Sequence, residues 1–121
     1  MRILRILFLP FLIASCTYES REPVEPEPCD TEQVSYSNRV DGILEQHCGS
    51  CHRNGSRSGG IVLDSYEDVA LLTEPNEPEA SLLYGVVSHT FGKPMPNNSP
   101  KIPECDIQKI RAWIADGAKN D

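Results

Sequence analysis

Apolar residues recur at helical spacing in four short stretches of this chain. The first runs from Val40 to His47 after a possible cap at Ser37, and only residues 61–63 look extended. The pattern predicts an all-α domain with long loops. The second stretch, 66–72, opens with a capping box formed by Ser65 and Asp68. The third covers 82–87, and the fourth is a final helix between Pro103 and Gly117.

The chain begins with a segment unlike the rest. Arg2 and Arg5 precede an almost wholly apolar run, "ILFLPFLIAS", which is too short and too broken by Pro10 to span a membrane. Residues 1–15 therefore look like a secretory signal peptide. The end of this segment and the next residue, Ile13 to Cys16, resemble the lipobox of bacterial lipoproteins. The resemblance implies that Cys16 is lipidated and becomes the mature N-terminus. The alternative is an ordinary signal peptide with a chance cysteine.

The resemblance to bacterial lipoproteins implies an exported protein that is anchored to a membrane by lipid and faces the periplasm or the cell surface, with the outer membrane preferred. Residues 16–28 contain three prolines and four glutamates, and we interpret them as an extended tether. The folded domain then comprises residues 29–121. A domain of this size has a marginal apolar core and usually needs a staple or a cofactor.

The negative charge of the chain limits the classes of partner that it is expected to bind. The formal net charge is −7, and removal of residues 1–15 takes away two arginines and no acid, which gives −9. Such a chain offers no basic patch to a phosphate backbone, so nucleic acid is not expected as a partner. A basic protein surface suits it better.

Two thiols and two imidazoles crowd into the stretch "HCGSCH" at residues 47–52. A redox Cys-x-x-Cys pair normally lies at a strand-to-helix junction, whereas this one follows a helical pattern. Structural zinc needs four ligands, and Cys48, Cys51 and His52 offer three. The sequence Cys-x-x-Cys-His is the attachment motif of c-type haem, in which both thiols bind the porphyrin edge and the histidine binds the iron.

The whole chain from Cys29 resembles a small class I-like monohaem cytochrome c domain, of the planctomycete-type or Bacteroidota cytochrome c lipoproteins. The resemblance lies in the haem motif, the Met-Pro loop "GKPMPNNSP" and the terminal "IRAWIADGA", in that order. It implies a cytochrome c fold with crossed terminal helices and long loops around one covalent haem c. Cys48 and Cys51 would form the thioethers, and His52 the proximal iron ligand.

The resemblance also places the distal iron ligand at Met95, in a loop braced by prolines. His89, His47 and an open position are the alternatives. Arg53, which follows the proximal histidine, is either a partner for a haem carboxylate or a solvated surface arginine.

Two cysteines remain, Cys29 and Cys105, in a compartment where disulfides persist. A cytochrome c fold brings its terminal helices together, so the resemblance implies that this pair is bridged. The alternative is two free, buried thiols.

The predicted function is electron transfer by a membrane-tethered cytochrome that is not itself an enzyme. Its expected partners are redox proteins or membrane oxidoreductase complexes, and its iron would cycle between Fe(III) and Fe(II). A haem enzyme or a gas or redox sensor with an open distal site is the second possibility. A structural lipoprotein with zinc or disulfides alone is the third.

Overall fold

The computed structural model describes residues 28–121. The predicted signal peptide, the lipidation of Cys16 and nearly all of the tether lie outside the described residues. Residues 28–121 form helices and loops without a strand, which confirms the all-α class. Residues 61–63 are not part of a strand. Within this range, no helix is long and apolar enough to cross a membrane.

Four α-helices organise the domain. A π-helical turn precedes the first of them, and two 3-10 turns, Ser58–Gly60 and Pro78–Ala80, interrupt the loops. The α-helices are α1 (Asp41–His52), α2 (Tyr66–Ala70), α3 (Leu82–Ser88) and α4 (Glu104–Ala115).

The first helical segment starts earlier than predicted. The π-helical turn, Tyr36–Val40, runs directly into α1, and its cap is Ser35 rather than Ser37. The Ser35 hydroxyl accepts a hydrogen bond from the Asn38 amide, and the Asn38 side chain accepts one from the Ser35 amide. Ser37 instead donates its amide to the Asp121 carbonyl. The prediction missed this because the apolar spacing becomes regular only at Val40.

The ends of α2 and α4 follow the sequence signals. Ser65 and Asp68 form the predicted capping box at the start of α2. Helix α4 begins directly after Pro103 and ends in a Schellman motif, in which the Gly117 amide donates to Ile114 and the Ala118 amide to Trp113. Gly117 has a φ of 97°, a left-handed conformation that favours glycine.

The core gathers residues from every α-helix and from the turn before α1. Trp113 is 1 % exposed and packs against Tyr36 and Tyr66, with ring centroids 5.8 and 6.4 Å away. The polar atoms of this cluster are satisfied, because the Trp113 indole donates to Lys119 and the Tyr66 hydroxyl to Ala118. These two hydrogen bonds hold the segment after α4, at Ala118 and Lys119, against the core. The other core residues are Val40, Ile43, Leu44, Leu63, Val69, Leu83, Val87, Ile102, Ile107, Ile110, Ile114 and Ala118.

Cys29 and Cys105 lie next to each other in the fold. The Cα atoms of Cys29 and Cys105 are 5.4 Å apart, within the range that a disulfide requires, and their sulfur atoms are at bonding distance. The pair joins the start of the domain to the first turn of α4.

Removing this pair should weaken the fold. The double variant Cys29→Ala, Cys105→Ala should lose up to about 4–5 kcal/mol of unfolding free energy, because a bridge between residues 76 positions apart restricts the unfolded chain. Urea denaturation of both proteins measures the loss. Equal midpoints, or two alkylatable thiols in the unreduced wild type, would show that no bridge forms.

Tyr36 should make stability fall at alkaline pH. Burial, and then the nearby charge of Asp41, raise the pKa of Tyr36 to about 12. Above about pH 10 the unfolded chain loses this proton while the folded chain keeps it. Stability should therefore drop by up to about 1.4 kcal/mol per pH unit between pH 10 and 12. Urea denaturation of wild type and Tyr36→Phe at pH 9 and 11 tests this, and equal losses would contradict it.

Candidate cofactor site

Helix α1 carries the whole Cys-x-x-Cys-His motif in its last turns. Cys48 and Cys51 lie about one helical turn apart, and His52 is the final residue of the helix. The Arg53 amide then donates to the Gly49 carbonyl at 3.1 Å and closes the helix. The sequence predicted a helix that leads into the motif, and in the structure the helix continues through the motif to His52.

A cleft with almost wholly apolar walls opens beside this helical end. Cofactor and ligand sites are usually concave and lined mainly by apolar side chains, and this cleft has both features. Among the side chains that line it are Cys48, His52 and Met95, three residues predicted for the site. The aliphatic lining residues are Ile61, Leu63, Leu72, Leu82, Leu83, Val86 and Val87.

The imidazole of His52 is oriented by the main chain. Its Nδ1 lies 3.1 Å from the carbonyl oxygen of Ile61. A carbonyl only accepts hydrogen bonds, so the neutral ring donates through Nδ1 and keeps the lone pair on Nε2. A carbonyl bonded to one ring nitrogen in this way orients a histidine that binds metal through the other. The Leu63 amide also donates to the His52 carbonyl, which holds the 61–63 segment beside the ring.

A second, more polar cavity adjoins the first. The two share His52, Ile61 and Met95, and Cys51 borders the second cavity. Cys48 therefore borders the first cavity and Cys51 the second, while His52 and Met95 border both. The remaining residues of the second cavity, which include one cation, are Ser58, Gly59, Lys93 and Asn97.

Met95 reaches the cleft from the loop after α3. It is partly buried, and its amide donates to the carbonyl of Val86 in α3 at 2.9 Å. His52 and Met95 thus enter the same cleft from different elements.

The other two histidines lie outside the lining of the cleft and make contacts elsewhere. His47 Nε2 lies 3.1 Å from a carboxylate oxygen of Asp106 in α4. His89 Nε2 lies 3.0 Å from the carbonyl oxygen of Met95. Neither histidine is among the residues that line the two cavities.

The thiol of Cys48 is poorly suited to thiol–disulfide exchange. Burial is the main cause that raises the pKa of Cys48 to about 11, and the positive charge of Arg53 only partly offsets it. A thiol with such a pKa is protonated at neutral pH, whereas the thiolate is the nucleophile in disulfide exchange. Cys48 and Cys51 are not bonded to each other.

A zinc site has no ready ligand set in this part of the chain. Within residues 28–121, no three His, Cys, Asp or Glu side chains are grouped so that they could hold a metal ion. A structural zinc site normally has four such ligands.

Arg53 points away from the cleft. Its guanidinium folds back along α1 to Asp41 at 2.6 Å and Glu45 at 3.2 Å, and it is 7 % exposed. Burial alone would lower the pKa of Arg53, but the two carboxylates outweigh it and the pKa lies above its ordinary value. The sequence analysis offered a haem-carboxylate partner or a solvated arginine, and it did not predict a buried arginine that pairs with two carboxylates of α1.

Sequence reasoning also missed two main-chain groups of the site, the carbonyls of Ile61 and Val86. They orient His52 and Met95 respectively. Every residue has a backbone carbonyl, so the sequence does not indicate which carbonyl will bind a side chain. The one local signal was Gly59-Gly60, whose φ values of 64° and 80° permit the turn that brings Ile61 to His52.

The Arg53 cluster should stabilise the end of α1. Arg53→Lys keeps the charge but loses the fork that reaches both carboxylates, so we expect a loss of about 1–3 kcal/mol. The control is Arg57→Lys, since Arg57 makes no ion pair within residues 28–121. Urea denaturation of both variants tests the difference, and equal midpoints would show that the cluster contributes nothing.

Comparisons of the chain with protein-family models, with curated proteins and with solved structures found no match. The functional argument for this chain therefore rests on its own residues and on the geometry of the cleft.

Proposed function

We propose that residues 29–121 are a c-type cytochrome domain that carries electrons through one covalently bound haem. One observation carries the proposal. The two thiols of a Cys-x-x-Cys-His motif border two adjoining cavities, Cys48 the apolar one and Cys51 the more polar one, and the imidazole of the motif and Met95 from another loop border both. Thiol, imidazole and thioether are the donor groups that hold haem c.

The residues of the cleft suit haem in their chemistry as well as their identity. The walls beside Cys48 and His52 are aliphatic, as a flat apolar macrocycle requires. The Ile61 carbonyl fixes one nitrogen of His52 and leaves Nε2 free for iron. Cys48 and Cys51, one helical turn apart, would form the thioether bonds. Bound haem would supply a one-electron couple between Fe(III) and Fe(II).

Met95 would be the distal ligand. It lines both cavities together with His52, so the two side chains flank the same space. A thioether is a soft donor that favours ferrous iron and raises the reduction potential. The aliphatic walls would add to this effect, because they exclude water and lower the local dielectric constant.

The wider setting is part of the same proposal. The domain would adopt a small cytochrome c fold with crossed terminal helices. A lipid on Cys16 would anchor it, facing the periplasm or the cell surface, on the outer membrane in preference to the inner one. The tether would raise its effective concentration near redox proteins or membrane oxidoreductase complexes.

A visible spectrum of the full chain tests the function. The protein is produced in a bacterial host with haem c maturation, solubilised in detergent and recorded oxidised and reduced. We expect sharp, split reduced bands that survive acid-acetone extraction, and an oxidised methionine–iron charge-transfer band. The double variant Cys48→Ala, Cys51→Ala should lose all covalent haem, because no thioether forms.

The matched control is Cys29→Ala, Cys105→Ala, which removes two cysteines and leaves the motif intact. It should retain covalent haem. A colourless wild type would sink the proposal and favour thiol or zinc chemistry. A high-spin spectrum that shifts with carbon monoxide, without the methionine band, would favour a haem enzyme or sensor instead.

A further inference from the structure

Both polar main-chain atoms of Met95 are bound to the α3 region. The Met95 amide donates to the Val86 carbonyl at 2.9 Å, and the Met95 carbonyl oxygen lies 3.0 Å from Nε2 of His89. The loop residues on both sides of Met95-Pro96, namely 90–94 and 97–101, are exposed. Beyond the turn that follows α3, Met95 is the residue whose main chain is bound to that helix region.

His89 occupies the position that allows this contact. It is the residue that ends α3, with a φ of 60° and a ψ of 30°. This left-handed conformation is uncommon for a residue other than glycine, although histidine is among those that adopt it more often. The Thr90 and Phe91 amides both donate to the Gly85 carbonyl, so the chain reverses tightly around His89.

The turn around His89 is also closed by packing. The Phe91 ring covers Gly85, where an added Cβ would lie less than 3.0 Å from ring atoms. The Ser88 and Thr90 hydroxyls are 2.8 Å apart and share a hydrogen bond. His89 is therefore held by its neighbours on both sides, and its ring can act as a fixed donor.

The contact fixes the direction of the hydrogen bond. The Met95 carbonyl can only accept, so His89 donates through Nε2–H. While this bond stands, Nε2 has no lone pair for a metal. The same bond locates the backbone from which the Met95 side chain enters the cleft.

We infer that His89 is a positioning residue, which holds Met95 in place as an iron ligand and does not itself bind the iron. The inference rests on the proposed function. Restraint of the loop would matter because a methionine–iron bond must compete with water and with diatomic ligands for the distal position. A ligand on a pre-positioned backbone loses less conformational freedom when it binds.

Three variants of the haem-loaded full chain test the inference. Asparagine also tolerates the left-handed backbone conformation, so His89→Asn should keep the turn. Its side chain is too short to donate a hydrogen bond from the position of Nε2. His89→Gln places an amide nitrogen the same number of bonds from Cα as Nε2, so it can restore the donor. Lys101→Ala, at an exposed site of the same loop, is the control for a general loosening of the loop.

The readouts are the oxidised methionine–iron charge-transfer band and the affinity of the reduced protein for carbon monoxide, which displaces the methionine. His89→Asn should weaken the band and raise the carbon monoxide affinity by about five- to tenfold, the equivalent of one hydrogen bond. His89→Gln should recover most of both properties, and Lys101→Ala should leave them unchanged.

The outcomes separate this inference from the proposed function. A wild type without covalent haem overturns both. A wild type with the methionine band, and a His89→Asn variant with an unaltered band and affinity, overturns the positioning role alone. If Met95→Ala stays low-spin while His89→Asn becomes high-spin, His89 is the ligand and the inference is wrong.

Discussion

The contact between the first helical segment and α4 is the constraint on which the rest of the domain depends. The turn before α1 packs its Tyr36 ring on Trp113, near the end of α4, while His47 meets Asp106 in the first turn of α4. Because α1 is held along its length, its last turns are fixed in space. Those turns carry the Cys-x-x-Cys-His motif, so the position of the cleft follows from this contact.

The cleft is not separate from the core. Leu63, Leu83 and Val87 belong to the buried cluster and also line the cleft. A domain of this size buries a smaller fraction of its surface than a larger domain does, and such domains commonly depend on a cofactor or a staple. If the cleft holds haem, the group completes an apolar core that the chain alone leaves open. A bridge between Cys29 and Cys105 would also compensate for the small core, because it would link the start of the domain to α4 and restrict the unfolded chain.

Local signals were reliable where the interaction that they describe is local. The Ser65–Asp68 capping box, the end of α4 at Gly117 and the helical spacing of Cys48 and Cys51 involve residues within a few positions of one another. The predicted cap at Ser37 was wrong because the apolar spacing becomes regular only at Val40, whereas the helical segment starts earlier. The Ser37 amide is bound by the carbonyl of Asp121, and a capping box at Ser35 starts the turn instead.

The sequence by itself determined the helical class, the motif on a helix end and the residues that could serve a haem, because these depend on side-chain type and short spacing. Only the tertiary structure decided how those residues are held. Arg53 turns to Asp41 and Glu45, and His52 binds the carbonyl of Ile61. His89 binds the carbonyl of Met95. The two histidine contacts end on backbone carbonyls, which residue type does not distinguish, and the arginine contacts depend on how the chain leaves α1. Only the folded chain brings these atoms within hydrogen-bond distance.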